Sequence, residues 1–157
     1  MRIAFVLILS VFALIGCSNS SASNLYSFDA SDLREETSDA VYQPELPSKL
    51  PFEAESSTFT PGPLSQEDTV FTFDFAGKDE VYLELFTVKG GDITYNDVET
   101  ETVEIGDIEG EYSKDPSGKL QRLVWTKGDI TYELKLFQGK ETTIIKEDLV
   151  ATAKSFE

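Results

Sequence analysis

From Val70 to Phe137 apolar and polar residues alternate repeatedly with a period of two, the signature of strands that bury one face. In "VFTFDF", Phe71, Phe73 and Phe75 face one way, and Thr72 and Asp74 the other. "VYLELFTV" sets Val81, Leu83 and Leu85 on one side and Tyr82 and Phe86 on the other, and Gly77-Lys78-Asp79 between the two runs predicts a hairpin. Gly90-Gly91 marks a second turn, weaker strands are expected over 92–112, and "KDPSGK" (114–119) is a third turn. "LQRLVW" and "ITYELKLF" then form a hairpin about Lys127-Gly128-Asp129, with Ile130, Tyr132, Leu134 and Leu136 turned inward. The period changes near the end: Leu149, Val150, Ala153 and Phe156 recur at helical spacing, and Glu147 and Asp148 sit where a helix N-terminus favours acids. A short helix with one apolar stripe needs a sheet to cover it. The fold class expected is therefore α+β, a curved antiparallel β-sheet with a C-terminal α-helix packed on its concave face. The string GDITY occurs at 91–95 and again at 128–132, which reads as two similar turn-to-strand starts.

Upstream of Val70 the pattern is different. "PELPSKLPFEAESSTFTPGP" carries all but one of the six prolines, so it should run extended as a first strand or a surface strap. Residues 18–43 are rich in Ser, Asp and Glu and poor in aliphatics, which predicts a polar tether, with a short helix over 32–40. The first residues are apolar again. Ile3 to Ile15 is broken only by Ser10, follows Arg2, and is too short to span a bilayer, which takes about 20 residues. It fits the apolar core of a secretory signal peptide.

Cys17 is the only cysteine and ends the stretch "LIGC". That stretch resembles the bacterial lipoprotein signal, an aliphatic residue and a small residue before cysteine. The resemblance implies a diacylglycerol thioether on Cys17 and cleavage before it. The expected organisation is a signal peptide over 1–16, the tether over 17–43 and a single α+β domain over 44–157. The location it implies is the extracytoplasmic face of the cell membrane, with membrane lipid as the first partner.

Charge narrows the function classes. The formal net charge is −16, with 13 basic and 29 acidic residues. Neutralising phosphates needs clustered Lys and Arg, so nucleic acid is excluded as a partner. There is no histidine, which removes the usual catalytic triads, most zinc sites and the base that would activate a Cys17 thiolate. No phosphate loop or dinucleotide fingerprint is present, and no cofactor is expected.

Three candidate chemistries remain. Asp92, Asp97, Glu99 and Glu101 belong to an acidic run with no Lys or Arg between Lys89 and Lys114, a candidate cation site or else the guarded edge of a sheet. Trp125 and Tyr132 are candidates to line an apolar pocket open to a hydrophobic ligand. Abundant carboxylates keep a hydrolase with paired acids in view.

Three further segments carry a family resemblance: "PELPSKLPF" (44–52), "LVWTKGDITYEL" (123–134) and "IIKEDLVATAKSF" (144–156). The chain from Tyr42 onward resembles a domain of unknown function in Gram-positive surface lipoproteins and sporulation-associated membrane proteins. That family is similar in architecture to lipoprotein-carrier and envelope-sensor half-barrels. The resemblance implies a non-catalytic binding or sensory module, with a hydrophobic ligand or an envelope protein as partner. It brings no catalytic residues.

Overall fold

Phe71, Phe73 and Phe75 are all buried on the inner face of one strand, while Thr72 and Asp74 on its other face are half-buried. The computed structural model describes residues 24–157 except 64, 65, 67, 68, 97 and 142. Its elements in chain order begin with β1 (Tyr26–Ser27), α1 (Ser31–Glu36), β2 (Lys49–Leu50) and β3 (Ala54–Pro61). β4 (Val70–Gly77), β5 (Tyr82–Lys89), β6 (Glu101–Ile105) and β7 (Ile108–Lys114) follow, then β8 (Leu120–Lys127), β9 (Ile130–Phe137) and α2 (Lys146–Ala153). The sheet-and-helix architecture expected from the sequence is the one observed.

Seven strands form one antiparallel sheet in the order β3-β4-β5-β9-β8-β7-β6, and β1 pairs with β2 apart from it. The sheet is two meanders, β3 to β5 and β6 to β9, joined where β5 pairs with β9 from Tyr82↔Phe137 to Lys89↔Ile130. Register places Phe73, Leu85, Leu134, Leu123 and Tyr112 in one row across five strands. All five are buried, so this row is the spine of the core. The sheet is open rather than a closed barrel and leaves β3 and β6 as its edges.

α2 lies against β6, β8 and β9. The Asp148 carboxylate accepts the Ile145 N–H at 3.1 Å, and the acidic first turn suits the helix dipole. The buried stripe is Leu149, Thr152 and Ala153. Val150 is half-buried and Phe156 lies just beyond the helix, and both pack against the core beside Leu149 and Ala153. A buried glutamine sets the approach to the helix: Gln121 Nε2 donates to the Ile144 carbonyl at 2.7 Å and Oε1 accepts from the Tyr112 hydroxyl at 2.7 Å.

The tether expected over 17–43 does not extend that far, and the packed chain begins well before residue 44. Ala30, Leu33 and Tyr42 are buried in the same core as the sheet residues. The Tyr42 ring stacks on Phe71 at 4.3 Å and 3°, and its hydroxyl shares a 2.8 Å hydrogen bond with that of Thr87, a polar residue at an inward position. A segment this polar holds on through a few large contacts to residues distant in sequence, which local composition does not show. The proline-rich stretch does act as a strap. Leu46 and Glu157 exchange backbone hydrogen bonds of 3.2 Å, Pro47 bridges to Phe156, and Ser48 N–H donates to the Ser155 carbonyl at 3.1 Å. Leu46, Leu50 and Phe52 are buried beneath it. Gly77 makes room for the last of these, because a Cβ there would lie 2.5 Å from the Phe52 ring.

The buried tyrosines make the fold sensitive to alkali. Burial pushes the Tyr42 hydroxyl up to about 12 against the opposing hydrogen bond from Thr87, and burial is also the largest cause raising Tyr95, Tyr112 and Tyr132. A phenol whose folded value is raised holds its proton more tightly in the folded state. Its contribution is complete below about pH 10 and is lost as pH climbs towards 12. For Tyr42 the loss is about 2–3 kcal/mol at about 1.4 kcal/mol per unit. Unfolding free energies measured from pH 9 to 12 should fall less steeply for Tyr42→Phe than for the parent. Equal slopes would show that this hydroxyl is not what titrates.

Candidate functional site

Trp125 and Tyr132 are both core residues, and of the two it is Trp125 that borders a cleft. They are 4% and 2% exposed and stack on each other at 5.2 Å and 6°. Phe156 seals them, meeting the two rings edge-on at 5.1 and 5.8 Å. The Glu45 N–H donates to the Tyr132 hydroxyl at 3.2 Å, so the polar tip is also engaged. The strap, α1 and α2 pack against the buried face of the sheet. Beside Trp125 there remains a cleft of about 250 Å³ lined by Ile105, Ile108, Ala153 and Phe156, with the Lys127–Glu45 ion pair at 2.7 Å alongside. Small-molecule sites usually start at about 300 Å³, so this space does not take a long acyl chain while Phe156 is seated. A wider and more open cleft of about 560 Å³ lies by Leu25, Ser48, Lys49, Lys154 and Phe156, next to the start of the described chain.

The acidic candidates are not gathered at one point. Glu101 faces α2 and pairs with Lys146 at 2.8 Å, an interaction that holds the Lys146 ammonium above its ordinary value. Asp92 lies across the opposite face, in a cleft of about 310 Å³ with Thr102, Glu109, Glu111 and Thr131. Glu99 stands exposed before β6, and Asp97, like Cys17, lies outside the described residues. Among the described residues no group of three or more acids converges to hold a metal ion. The edge reading of this run matches the position of β6, which carries Glu101 and Glu104 and, among the described residues, pairs on one side only.

A buried ionic cluster on the outer face is the feature that sequence reasoning missed. Glu133 is 1% exposed although its position in "ITYELKLF" points away from the core. The Tyr95 hydroxyl donates to Glu133 Oε1 at 2.5 Å, and Lys135 Nζ lies 3.3 Å from Oε2. Lys135 also bonds Glu84 at 2.9 Å, and the Arg122 guanidinium lies under the Tyr95 ring at 5.1 Å. Burial lowers the Lys135 ammonium, but the Glu84 hydrogen bond and the charges of Glu133 and Glu84 outweigh it and leave the group raised. The Arg122 Nε is 3.9 Å from Glu133 and has no hydrogen-bond partner among the described residues.

The cover over this cluster is the crossover from β5 to β6, which contains the first GDITY. The two copies lie side by side: the Thr131 hydroxyl donates to the Gly91 carbonyl at 2.7 Å, and Gly90, just before the first copy, donates its N–H to the Asp129 carbonyl at 2.7 Å. They have opposite fates. The second copy opens β9 with Tyr132 inward, whereas the first forms no strand and lays Tyr95 over the outer face, 40% exposed. The repeated pentapeptide was the one sequence signal that could have linked these segments.

No protein family, curated protein or solved structure matches the chain.

Proposed function

We propose that this protein is an extracytoplasmic lipoprotein, anchored through a diacylglycerol on Cys17, whose α+β domain works as a non-catalytic binding or sensory module at the membrane surface. The observation that carries the reading is where the packed chain starts relative to that cysteine. Only six residues separate Cys17 from Asn24, and Tyr26–Ser27 is already paired with Lys49–Leu50. At about 3.5 Å per residue, that length holds Asn24 within about 25 Å of the anchor and the first strand within about 32 Å. The domain thus rides close to the bilayer, and its reach is set by its own surfaces more than by a long tether. Two acyl chains give the stable attachment that one does not. The net charge of −16 over the whole chain favours cationic partners over anionic ones.

Cys17→Ser tests the anchor. Fractionated cells should show the variant released to the soluble extracytoplasmic fraction, or retained as a precursor with residues 1–16 still attached. Intact mass should show no added diacylglycerol. A variant that stays in the membrane at the same mass as the parent would overturn the reading.

A further inference from the structure

We propose that the open edge of β6 is a docking site for an extended basic segment of a partner protein, which adds to the sheet as an eighth strand. The proposal deepens the reading of the domain as a binding module and is independent of the anchor.

The backbone is available. β6 pairs with β7 through a two-residue loop, Gly106-Asp107, with Ile105 opposite Ile108. In such a hairpin the pair that closes the loop is hydrogen-bonded, and bonded pairs then alternate. Ile105, Val103 and Glu101 therefore bond to β7, while Thr102 and Glu104 turn their N–H and C=O groups outward. A row of such groups is a template for strand addition.

The two faces of that edge ask for different side chains. On the helix side a groove of about 320 Å³ runs between β6 and α2, lined by Val103, Val150 and Ala151 with the charged residues Glu104, Lys146, Glu147 and Lys154 at its rim. It suits small apolar residues. On the outer side Glu104 stands directly opposite Glu109, and Thr102 opposite Glu111. Like charges directly opposed across two strands are destabilising, and among the described residues neither Glu104 nor Glu109 is held in an ion pair, since Lys146 beside Glu104 bonds Glu101. A basic side chain laid along the edge would neutralise both. A strand alternating basic and apolar residues fits both faces at once.

The same charges exclude the commonest competitor, a second copy of this acidic chain. The edge is therefore guarded against self-association and open to a cationic strand. The other edge differs: β3 reads "AESSTFTP", holds one carboxylate and closes with Pro61.

The test uses the purified full-length protein in neutral detergent and two synthetic octapeptides, one alternating Lys and Val and one alternating Glu and Val. The Lys/Val peptide should bind and slow hydrogen exchange over residues 101–105 but not over 54–61, and the Glu/Val peptide should do neither. Thr102→Pro removes an outward N–H and no bond to β7, so it should weaken Lys/Val binding at least tenfold while the unfolding midpoint stays near that of the parent. Because a proline could disturb β6 itself, Glu104→Lys with Glu109→Lys gives a second measurement: it should weaken Lys/Val binding and admit the Glu/Val peptide. Absence of Lys/Val binding, protection confined to other segments, or full affinity in both variants would each overturn the docking site. Those outcomes leave the membrane reading to stand or fall on Cys17→Ser alone.

Discussion

Leu134→Ala is expected to lower the unfolding free energy by about 2–5 kcal/mol, a large part of the stability of a domain this size. Leu134 is fully buried at the middle of the central strand, with Leu85 opposite it on one neighbour and Leu123 on the other, both fully buried too. The site lies between two hydrogen-bonded strands, so the lost side chain leaves a void that the backbone cannot collapse to fill. The denaturant midpoint should fall with little change in the slope of the transition. Glu55→Ala on the exposed edge strand β3 serves as reference and should move stability by less than about 0.5 kcal/mol. A Leu134 variant as mild as the reference would mean that the five-strand row is not the spine of the core.

Glu133→Ala is the second large effect, expected at about 3 kcal/mol because it strips the shared acceptor from a buried charge cluster. Lys135 and Arg122 each keep about a fifth of their side chain exposed and can draw on water, which places the cost at the low end of the range for breaking a buried pair. The same variant should release the crossover. Hydrogen exchange over 91–96 should quicken, since the Tyr95 hydroxyl loses its acceptor. Tyr95→Phe should cost about 1 kcal/mol and quicken the same segment. If the double variant costs as much as the two singles added together, Tyr95 and Glu133 are not coupled and the crossover is held by something else.

These two residues mark where the sequence is legible and where it is not. Leu134 was readable as core from its own strand, because period-two alternation in "ITYELKLF" assigns a face to each residue without reference to anything else. The same rule assigned Glu133 to solvent. It is right about the face and wrong about the burial, because the cover comes from a segment some forty residues earlier that forms no strand. Trp125 and Tyr132 show the converse. Their inward direction followed from the pattern, but whether they line a cavity or fill one depended on Phe156. That residue reaches them only because the chain after α2 pairs with the strap at Leu46–Ser48. The acidic run was legible as an edge, through its lack of apolar alternation and of any lysine. Its division between two faces, Glu101 towards Lys146 and Asp92 across the outer side, needed the register.

By itself the sequence determined the strand faces, the hairpin turns, the helix that closes the domain and the acidic character of one edge. Each is a local property, written in the spacing of neighbouring residues. Only the tertiary structure decided that Tyr42 and Leu33 belong to the core, that the buried face of the sheet is covered by strap and helices, and that Glu133 is buried under the crossover. It also decided that, among the described residues, the outer edge of β6 has no partner strand. These depend on which distant segments meet, and that is settled by the fit of whole surfaces after the sheet has formed.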